Sequence, residues 1–149
     1  MSRPRLPGMI AAVTFGVLFS IGYIALPQLT PETVSGTSIR FCAQPPFRDC
    51  VIDGDTFYLG TQSIRIADID APETHPPRCA LEAALGQRAT QRLYALLQAG
   101  PFELRRDFRD EDQYGRKLRT IWRQGLSLGQ ILVEEGLARE WTGRREPWC

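Results

Sequence analysis

Several residue types are scarce in this chain of 149 residues, and their scarcity argues against whole classes of protein. One histidine and no Cys-x-x-Cys pair argue against a zinc site. With 18 basic and 17 acidic residues, the chain lacks the charge excess of a histone-like protein that binds nucleic acid through bulk charge. No long block of like charge occurs and 43% of residues are apolar, which excludes an acidic disordered chain. Lys117 is the only lysine; the arginine fork suits phosphate, although codon bias explains such a skew equally well.

The N-terminal segment contains a long apolar run. Residues 9–26 carry no charge, follow Arg3 and Arg5, and end before Pro27. Such a run is long enough to cross a bilayer core of about 30 Å, and the basic residues before it place the N-terminus inside. We predict a transmembrane or signal helix over residues 1–26, with an uncleaved anchor favoured over a cleaved signal and a buried core helix as the weakest alternative. Residues 27–38, rich in Pro, Thr, Ser and Gly, are expected to form a linker.

The four cysteines indicate disulfide bonds in an exported domain, because their number is even and the domain is small. Three pairings exist. We favour Cys42 with Cys50, which flank a Pro-Pro turn, and Cys79 with Cys149, which would hold the C-terminus. The expected location is therefore extracytoplasmic, either anchored in the inner membrane facing the periplasm or exterior, or secreted if the signal is cleaved.

Residues 39–149 have the pattern of one α+β domain. Strand-like runs occupy 39–42, 50–53, 56–59 and 63–69, and two more follow at 102–108 and 117–123. Between these groups lies a helix, and a second helix runs from an N-cap at Ser127 to Gly136. The apolar face of the first helix comprises Leu85, Ala89, Leu93, Leu96 and Leu97. This order predicts a small barrel with two packed helices.

Acidic residues cluster between positions 53 and 73, at the ends of two predicted strands. They are Asp53, Asp55, Asp68, Asp70 and Glu73. Carboxylates that converge need a cation among them, and oxygen donors favour calcium or magnesium. On local pattern alone, Arg65 fits a solvated residue of the strand as well as it fits a functional residue. Arg116 likewise fits an exposed turn residue as well as it fits a functional residue. Carboxylates, two arginines and a hard cation together suit phosphoryl transfer, and no glycine-rich phosphate loop or serine–histidine pair competes with them.

Three sequence blocks resemble the thermonuclease family of staphylococcal nuclease-like domains: VIDGDTF at 51–57, IRIADIDAPE at 64–73 and DQYGRKL at 112–118. The resemblance implies a five-stranded OB-fold β-barrel, a calcium ion and hydrolysis of DNA or RNA phosphodiesters. By position, it also implies a role for each matched residue. Asp55, Asp70 and the Ala71 carbonyl would bind calcium, Glu73 would activate water, Arg65 and Arg116 would hold the phosphate, and Tyr114 would lie near the nucleotide.

The chain departs from the family pattern in two places. Ala71 stands where the family often has threonine, and the family's long C-terminal helix and the stacking tyrosines before it have no counterpart. We predict a monomeric calcium-dependent nuclease that acts on nucleic acid and contacts the membrane through its N-terminal helix. The alternatives are a non-catalytic OB-fold module that binds nucleic acid or protein in the cell envelope, and an envelope protein whose calcium is structural.

Overall fold

The computed structural model describes residues 30–149, so the predicted transmembrane or signal helix lies outside the described residues. Within residues 30–149, no helix is long and apolar enough to cross a bilayer. The described part of the chain forms ten strands and two helices. In chain order they are β1 (Glu32–Val34), β2 (Arg40–Phe41), β3 (Cys50–Asp53), β4 (Thr56–Leu59), β5 (Gln62–Ile66), β6 (Ile69–Asp70), α1 (Ala80–Gln98), β7 (Phe102–Glu111), β8 (Lys117–Arg123), β9 (Leu126–Ser127), α2 (Leu128–Glu134) and β10 (Arg139–Glu140).

The larger sheet is curled and follows the order β1-β7-β8-β5-β4-β3-β2, with β9 beside β8. β5 and β8 are parallel neighbours because α1 and β7 form the crossover between them. Among the described residues the hydrogen-bonded path does not join its two ends. The sheet is OB-fold-like, which agrees with the predicted α+β fold, and the short strands β1 and β2 lie at its two ends, paired with β7 and β3.

Two predicted boundaries differ in the structure. The predicted linker contains β1, whose Val34 packs against the core while its backbone pairs with β7. The predicted strand over 63–69 is interrupted at Ala67 and Asp68, where the chain turns between β5 and β6. This turn separates Asp70 from the main sheet, and β6 pairs instead with β10 near the C-terminus.

The two helices follow the predicted patterns. Four of the five predicted apolar positions of α1 are buried, and Leu85 is half-buried. The helix ends just before Gly100, whose φ of 142° suits glycine. Ser127 caps α2 by accepting a hydrogen bond from the backbone N–H of Gln130 at 3.1 Å.

Close packing between α1 and the sheet positions the turn that joins β3 to β4. A Cβ at Gly54 would lie only 2.5 Å from the Cβ of Ala89 and 2.8 Å from that of Ala71. Glycine is therefore required where this turn meets the helix, and the next residue, Asp55, is held against β6. The core beside this contact is formed by Phe57, Ile66, Ile69, Leu93 and Leu132.

Both favoured disulfide bonds are present. Cys42 is bonded to Cys50 across β2 and β3, and Cys79, the N-cap residue of α1, is bonded to Cys149. The second bond holds the C-terminal residues beside the loop that leads into α1. That loop carries Glu73, so the pairing places the end of the chain near the predicted site.

Candidate active site

Asp55 lies in the turn just before β4 with its carboxylate turned inward, and it is only 3% exposed. Its Oδ2 accepts a hydrogen bond from the backbone N–H of Ala71 at 2.7 Å, and its Oδ1 accepts one from the Thr56 hydroxyl at 3.1 Å. These bonds join the β3–β4 turn to β6. The two segments that the sequence predicted to converge are therefore in direct contact.

Arg65 extends from β5 into this acidic region and is 6% exposed. Its guanidinium contacts the carboxylate of Asp55 and donates a hydrogen bond to the carbonyl of Ile69 at 3.3 Å. Burial lowers the pKa of the guanidinium to about 10, and the negative charge of Asp53 opposes that shift. Arg65 is thus a buried member of the site and not a solvated strand residue.

Asp70 has the carboxylate that is least satisfied in the site. It is 3% exposed, and neither of its oxygens has a hydrogen bond among the described residues. Its nearest positive groups are Arg65, with Nη2 at 3.6 Å, and Arg145, with Nε at 3.1 Å from Oδ1. A buried carboxylate with free lone pairs is costly unless a cation lies beside it.

The donor atoms around Asp70 fit a hard cation. Asp55, Asp70 and the carbonyl of Ala71 would supply oxygen atoms of the kind that calcium prefers. Within residues 30–149 no cluster of three or more Asp, Glu, His or Cys side chains is arranged to hold a metal ion. The implied set has only two carboxylates and one carbonyl, and Arg65 already contacts one of those carboxylates. The unbonded oxygens of Asp70 are the feature that fits a cation best.

Asp53, which had no assigned role, helps to hold the backbone of Asp55 in place. Its Oδ1 accepts a hydrogen bond from the backbone N–H of Asp55 at 3.1 Å. Burial raises the pKa of the Asp53 carboxyl, and the charges of Arg65 and Arg116 oppose the rise. Asp68 lies elsewhere, with its Oδ2 accepting from the Ser127 hydroxyl at 3.4 Å, and it takes no part in the site.

Arg116 is held at the start of β8 by the loop before it. Its Nε donates to Asp112 Oδ2 at 2.7 Å, and its backbone N–H donates to Oδ1 at 3.0 Å. Burial opposes ionisation of Asp112, but the hydrogen bonds from Arg116 and from the Tyr114 N–H outweigh it and lower the pKa of this carboxyl. The Tyr114 ring is 75% exposed and lies 5.5 Å from the Arg116 guanidinium carbon. Both side chains are therefore available to a ligand.

A polar cleft of about 650 Å³ brings together four of the predicted residues, Arg65, Glu73, Tyr114 and Arg116. The cleft is lined by Glu73, which is half-buried, but not by Asp55 or Asp70; these two carboxylates contact Arg65 and Arg145, which do line it. Its lining includes Arg65, Ala67, Glu73, Asp107, Arg109, Asp112, Gln113, Tyr114, Arg116, Leu118, Trp141 and Arg145. Its size and its arginines suit a phosphate-containing ligand.

Arg109, Trp141 and Arg145 are among the lining residues that the sequence did not predict. Trp141 is 41% exposed and supplies an aromatic ring near the end of a chain that was expected to lack the family's stacking tyrosines. The signal that would have found Arg145 is the Cys79–Cys149 pairing. That bond ties the C-terminal residues to the start of α1, and hence to the neighbourhood of Glu73.

Residues 63–147 match the model of the family described as staphylococcal nuclease homologue. Among curated proteins, endonuclease YncB of Bacillus subtilis (strain 168) is 36% identical over 96 residues, which cover 61% of this chain and 45% of the relative. The SPbeta prophage-derived endonuclease YokF of the same strain is also 36% identical over 96 residues, covering 61% of this chain and 32% of the relative.

A third relative, endonuclease YhcR of the same strain, is 36% identical over 101 residues, which cover 60% of this chain and 8% of the relative. The chain thus spans less than half the length of each of these three relatives. The family match itself covers more than half of the chain and includes Arg65, Asp70, Glu73 and Arg116. The chain therefore belongs to the family of staphylococcal nuclease homologues.

Proposed function

We propose that the chain is a calcium-dependent nuclease that hydrolyses phosphodiester bonds of DNA or RNA. The observation that carries this proposal is the meeting of Arg65, Arg116 and Glu73 in one cleft, where Arg65 also contacts Asp55 and lies 3.6 Å from Asp70. The three relatives named endonuclease support the same reaction class. Localised positive groups would bind the substrate, since the chain as a whole carries almost no net charge.

In the proposed reaction a water molecule attacks phosphorus, and Glu73 takes the proton that the water loses. Arg65 and Arg116 donate hydrogen bonds to the non-bridging oxygens, where negative charge grows as the new P–O bond forms. The bond between phosphorus and the leaving oxygen then breaks. Asp55, Asp70 and the Ala71 carbonyl would hold a calcium ion, which would help to neutralise the phosphate charge.

Tyr114 and Trp141 provide exposed aromatic surface at the same cleft. Base–aromatic stacking is tolerant of sequence and is available from single strands or unpaired ends. We therefore expect these rings to contact bases while the arginines contact the backbone. This division of contacts favours cleavage with little sequence preference.

The test is cleavage of fluorescently labelled DNA and RNA by the purified full chain, with calcium or with a chelator. Glu73→Gln should lower the cleavage rate by about 10²- to 10⁴-fold, the range for loss of a general base. Glu134→Gln, on the exposed side of α2, is the matched control and should leave the rate unchanged. Equal rates for these two variants would contradict the role of Glu73. Nucleic-acid binding without any cleavage would favour the non-catalytic module.

We also propose an extracytoplasmic location. Two disulfide bonds in a domain of this size suit an oxidising compartment, where such bonds persist. Alkylation of cells with a thiol reagent before lysis would test this. Protected cysteines that become reactive only after reduction are the expected result, and four reactive thiols without reduction would contradict it.

A further inference from the structure

Residues 141–149, here called the C-terminal strap, cross the site and are attached at both ends. At the first end the backbone N–H of Trp141 donates to the carbonyl of Asp68 at 2.9 Å. At the other end Cys149 is bonded to Cys79 at the start of α1. A terminal segment usually frays unless it is tied down. This segment is attached to Asp68 and to Cys79, which stand on either side of Asp70 and Glu73 in the sequence.

Packing also fixes the strap between its ends. Trp148 is buried, and the guanidinium carbon of Arg139 lies 3.8 Å from the centre of its ring. The same arginine donates a hydrogen bond to the carbonyl of Pro147 at 3.1 Å. The strap therefore has a defined path, and its side chains have defined directions.

The two adjacent arginines of the strap differ in exposure and in their partners. Arg144 is 80% exposed and pairs with Glu146 of the strap itself. Arg145 instead turns inward, where its Nη1 contacts Glu73 Oε1 and its Nε lies 3.1 Å from Asp70 Oδ1. It thus bridges the carboxylate expected to act as base and the carboxylate expected to bind the cation.

Arg145 and a divalent cation would compete for the same atoms. Oδ1 of Asp70 faces Arg145, and a cation coordinated there would be repelled by the guanidinium at this distance. Asp70 has no hydrogen bond among the described residues, so its charge is balanced chiefly by the neighbouring arginines. A cation must therefore displace Arg145 from Asp70 before it can bind with full affinity.

We propose that Arg145 is an internal cation that competes with calcium for Asp70 and Glu73, and that the Cys79–Cys149 bond maintains this competition by holding the strap. This inference rests on the proposed calcium site. Breaking the bond lowers the effective concentration of Arg145 at the carboxylates, because the strap is then held only by the Trp141 hydrogen bond and by the contacts of Arg139 with Trp148 and Pro147. Oxidation of the two cysteines would accordingly lower the affinity of the site for calcium.

The experiment is calorimetric titration of the full chain with calcium alone, in the absence of nucleic acid. Arg145→Gln should bind calcium about tenfold more tightly, since one opposing charge is removed from a partly buried site. Arg144→Gln is the matched control, because it removes the same charge from the adjacent, outward-facing position, and its affinity should stay within about twofold of the parent. Arg145→Lys, which restores the charge, should return the affinity toward that of the parent. Unchanged or weaker binding by Arg145→Gln would overturn the proposal.

The role of the strap is tested with the double variant Cys79→Ser/Cys149→Ser, after circular dichroism confirms that it is folded. We expect its calcium affinity to rise severalfold, and we expect the triple variant with Arg145→Gln to bind calcium no more tightly than Arg145→Gln alone. An effect of the cysteine variant that persists in the Arg145→Gln background would overturn the role of the bond. If the cysteine variant does not fold, the comparison of Arg145→Gln with Arg144→Gln still decides the competition.

These outcomes separate the inference from the proposed function. Tighter calcium binding by Arg145→Gln with no cleavage of nucleic acid would support the inference and overturn the nuclease activity. Cleavage of nucleic acid with unchanged calcium affinity in Arg145→Gln would support the nuclease activity and overturn the inference. Absence of calcium binding by every variant would overturn both the calcium site and the competition.

Discussion

The guanidinium of Arg65 and the carboxylate of Asp55 form a buried ion pair that joins β5 to the turn between β3 and β4. Thr56, the residue after Asp55, is paired with Arg65 across the two strands. The pair is therefore set by the register of the sheet. It places a positive charge beside Asp70 before any ligand binds.

Asp55→Asn should destabilise the fold, because it leaves the Arg65 charge buried without its partner. We expect the free energy of unfolding to fall by roughly 3 kcal/mol, at the low end for a broken buried pair because the amide oxygen still accepts from Ala71. Urea denaturation measures this change. Asp107→Asn, at an exposed position of β7, is the control and should change stability little. Equal stability of the two variants would contradict a structural role for the pair.

Arg116→Gln should lower the rate of nucleic-acid cleavage by about 10²-fold while the protein stays folded, since the side chain is held by a surface loop and donates to the growing negative charge. Arg116→Lys should recover only part of the rate because an ammonium lacks the planar fork. Single-turnover cleavage measures both effects. Arg106→Gln removes an equivalent charge from an exposed position of β7 and should retain the parent rate. A slow Arg106→Gln would point to a general charge effect.

Gly86→Ala should disturb the loop that carries Glu73. A Cβ at position 86 of α1 would lie 2.9 Å from the carbonyl oxygen of Pro72 and 3.0 Å from that of Glu73. Glycine to alanine in a helix is normally favourable by up to about 1 kcal/mol, but here steric overlap should reverse the sign and cost about 1–3 kcal/mol. The melting temperature and the cleavage rate should both fall. Gln87→Ala, one residue along and exposed, should be neutral in both measurements.

The two disulfide bonds should contribute unequally to stability. Cys79 and Cys149 are separated by 70 positions, whereas Cys42 and Cys50 are separated by 8. In the chain-entropy model the longer loop stabilises by about 4 kcal/mol and the shorter by about 2.5 kcal/mol. Paired serine variants of each bond, compared by urea denaturation, measure the difference. A larger loss for the shorter loop would show that unfolded-state entropy is not the main contribution.

Asp68 should make stability depend on pH. Burial raises the pKa of its carboxyl, and a hydrogen bond from Ser127 only partly opposes this. The folded chain therefore holds this proton more tightly than the unfolded chain, so stability falls as pH rises from the ordinary pKa of aspartate through the raised value. Asp68→Asn should raise the melting temperature at pH 7 by a few degrees, with a smaller gain at pH 4. An equal gain at both pH values would contradict this linkage.

Local patterns in the sequence predicted much of the fold. The spacing of Leu93, Leu96 and Leu97 predicted the buried face of α1, and Ser127 predicted the start of α2, because both signals act within one or two helical turns. The cysteine positions favoured the two bonds that the structure forms. Strand β1 was not predicted, because its pairing with β7 depends on segments far apart in the sequence.

The sequence by itself determined which residue types the site contains, since the carboxylates and arginines stand in three short motifs, two of which lie within the family match. Only the tertiary structure decided which of them touch. The alternation of side chains along β5 was consistent with Arg65 as a solvated residue or as a functional one. In the structure Arg65 is buried, because it contacts Asp55 across the sheet. Arg145 and Glu73 are far apart in the sequence, and their contact depends on the disulfide bond between Cys79 and Cys149. Contacts of this kind depend on how separate elements pack, and no local spacing encodes that.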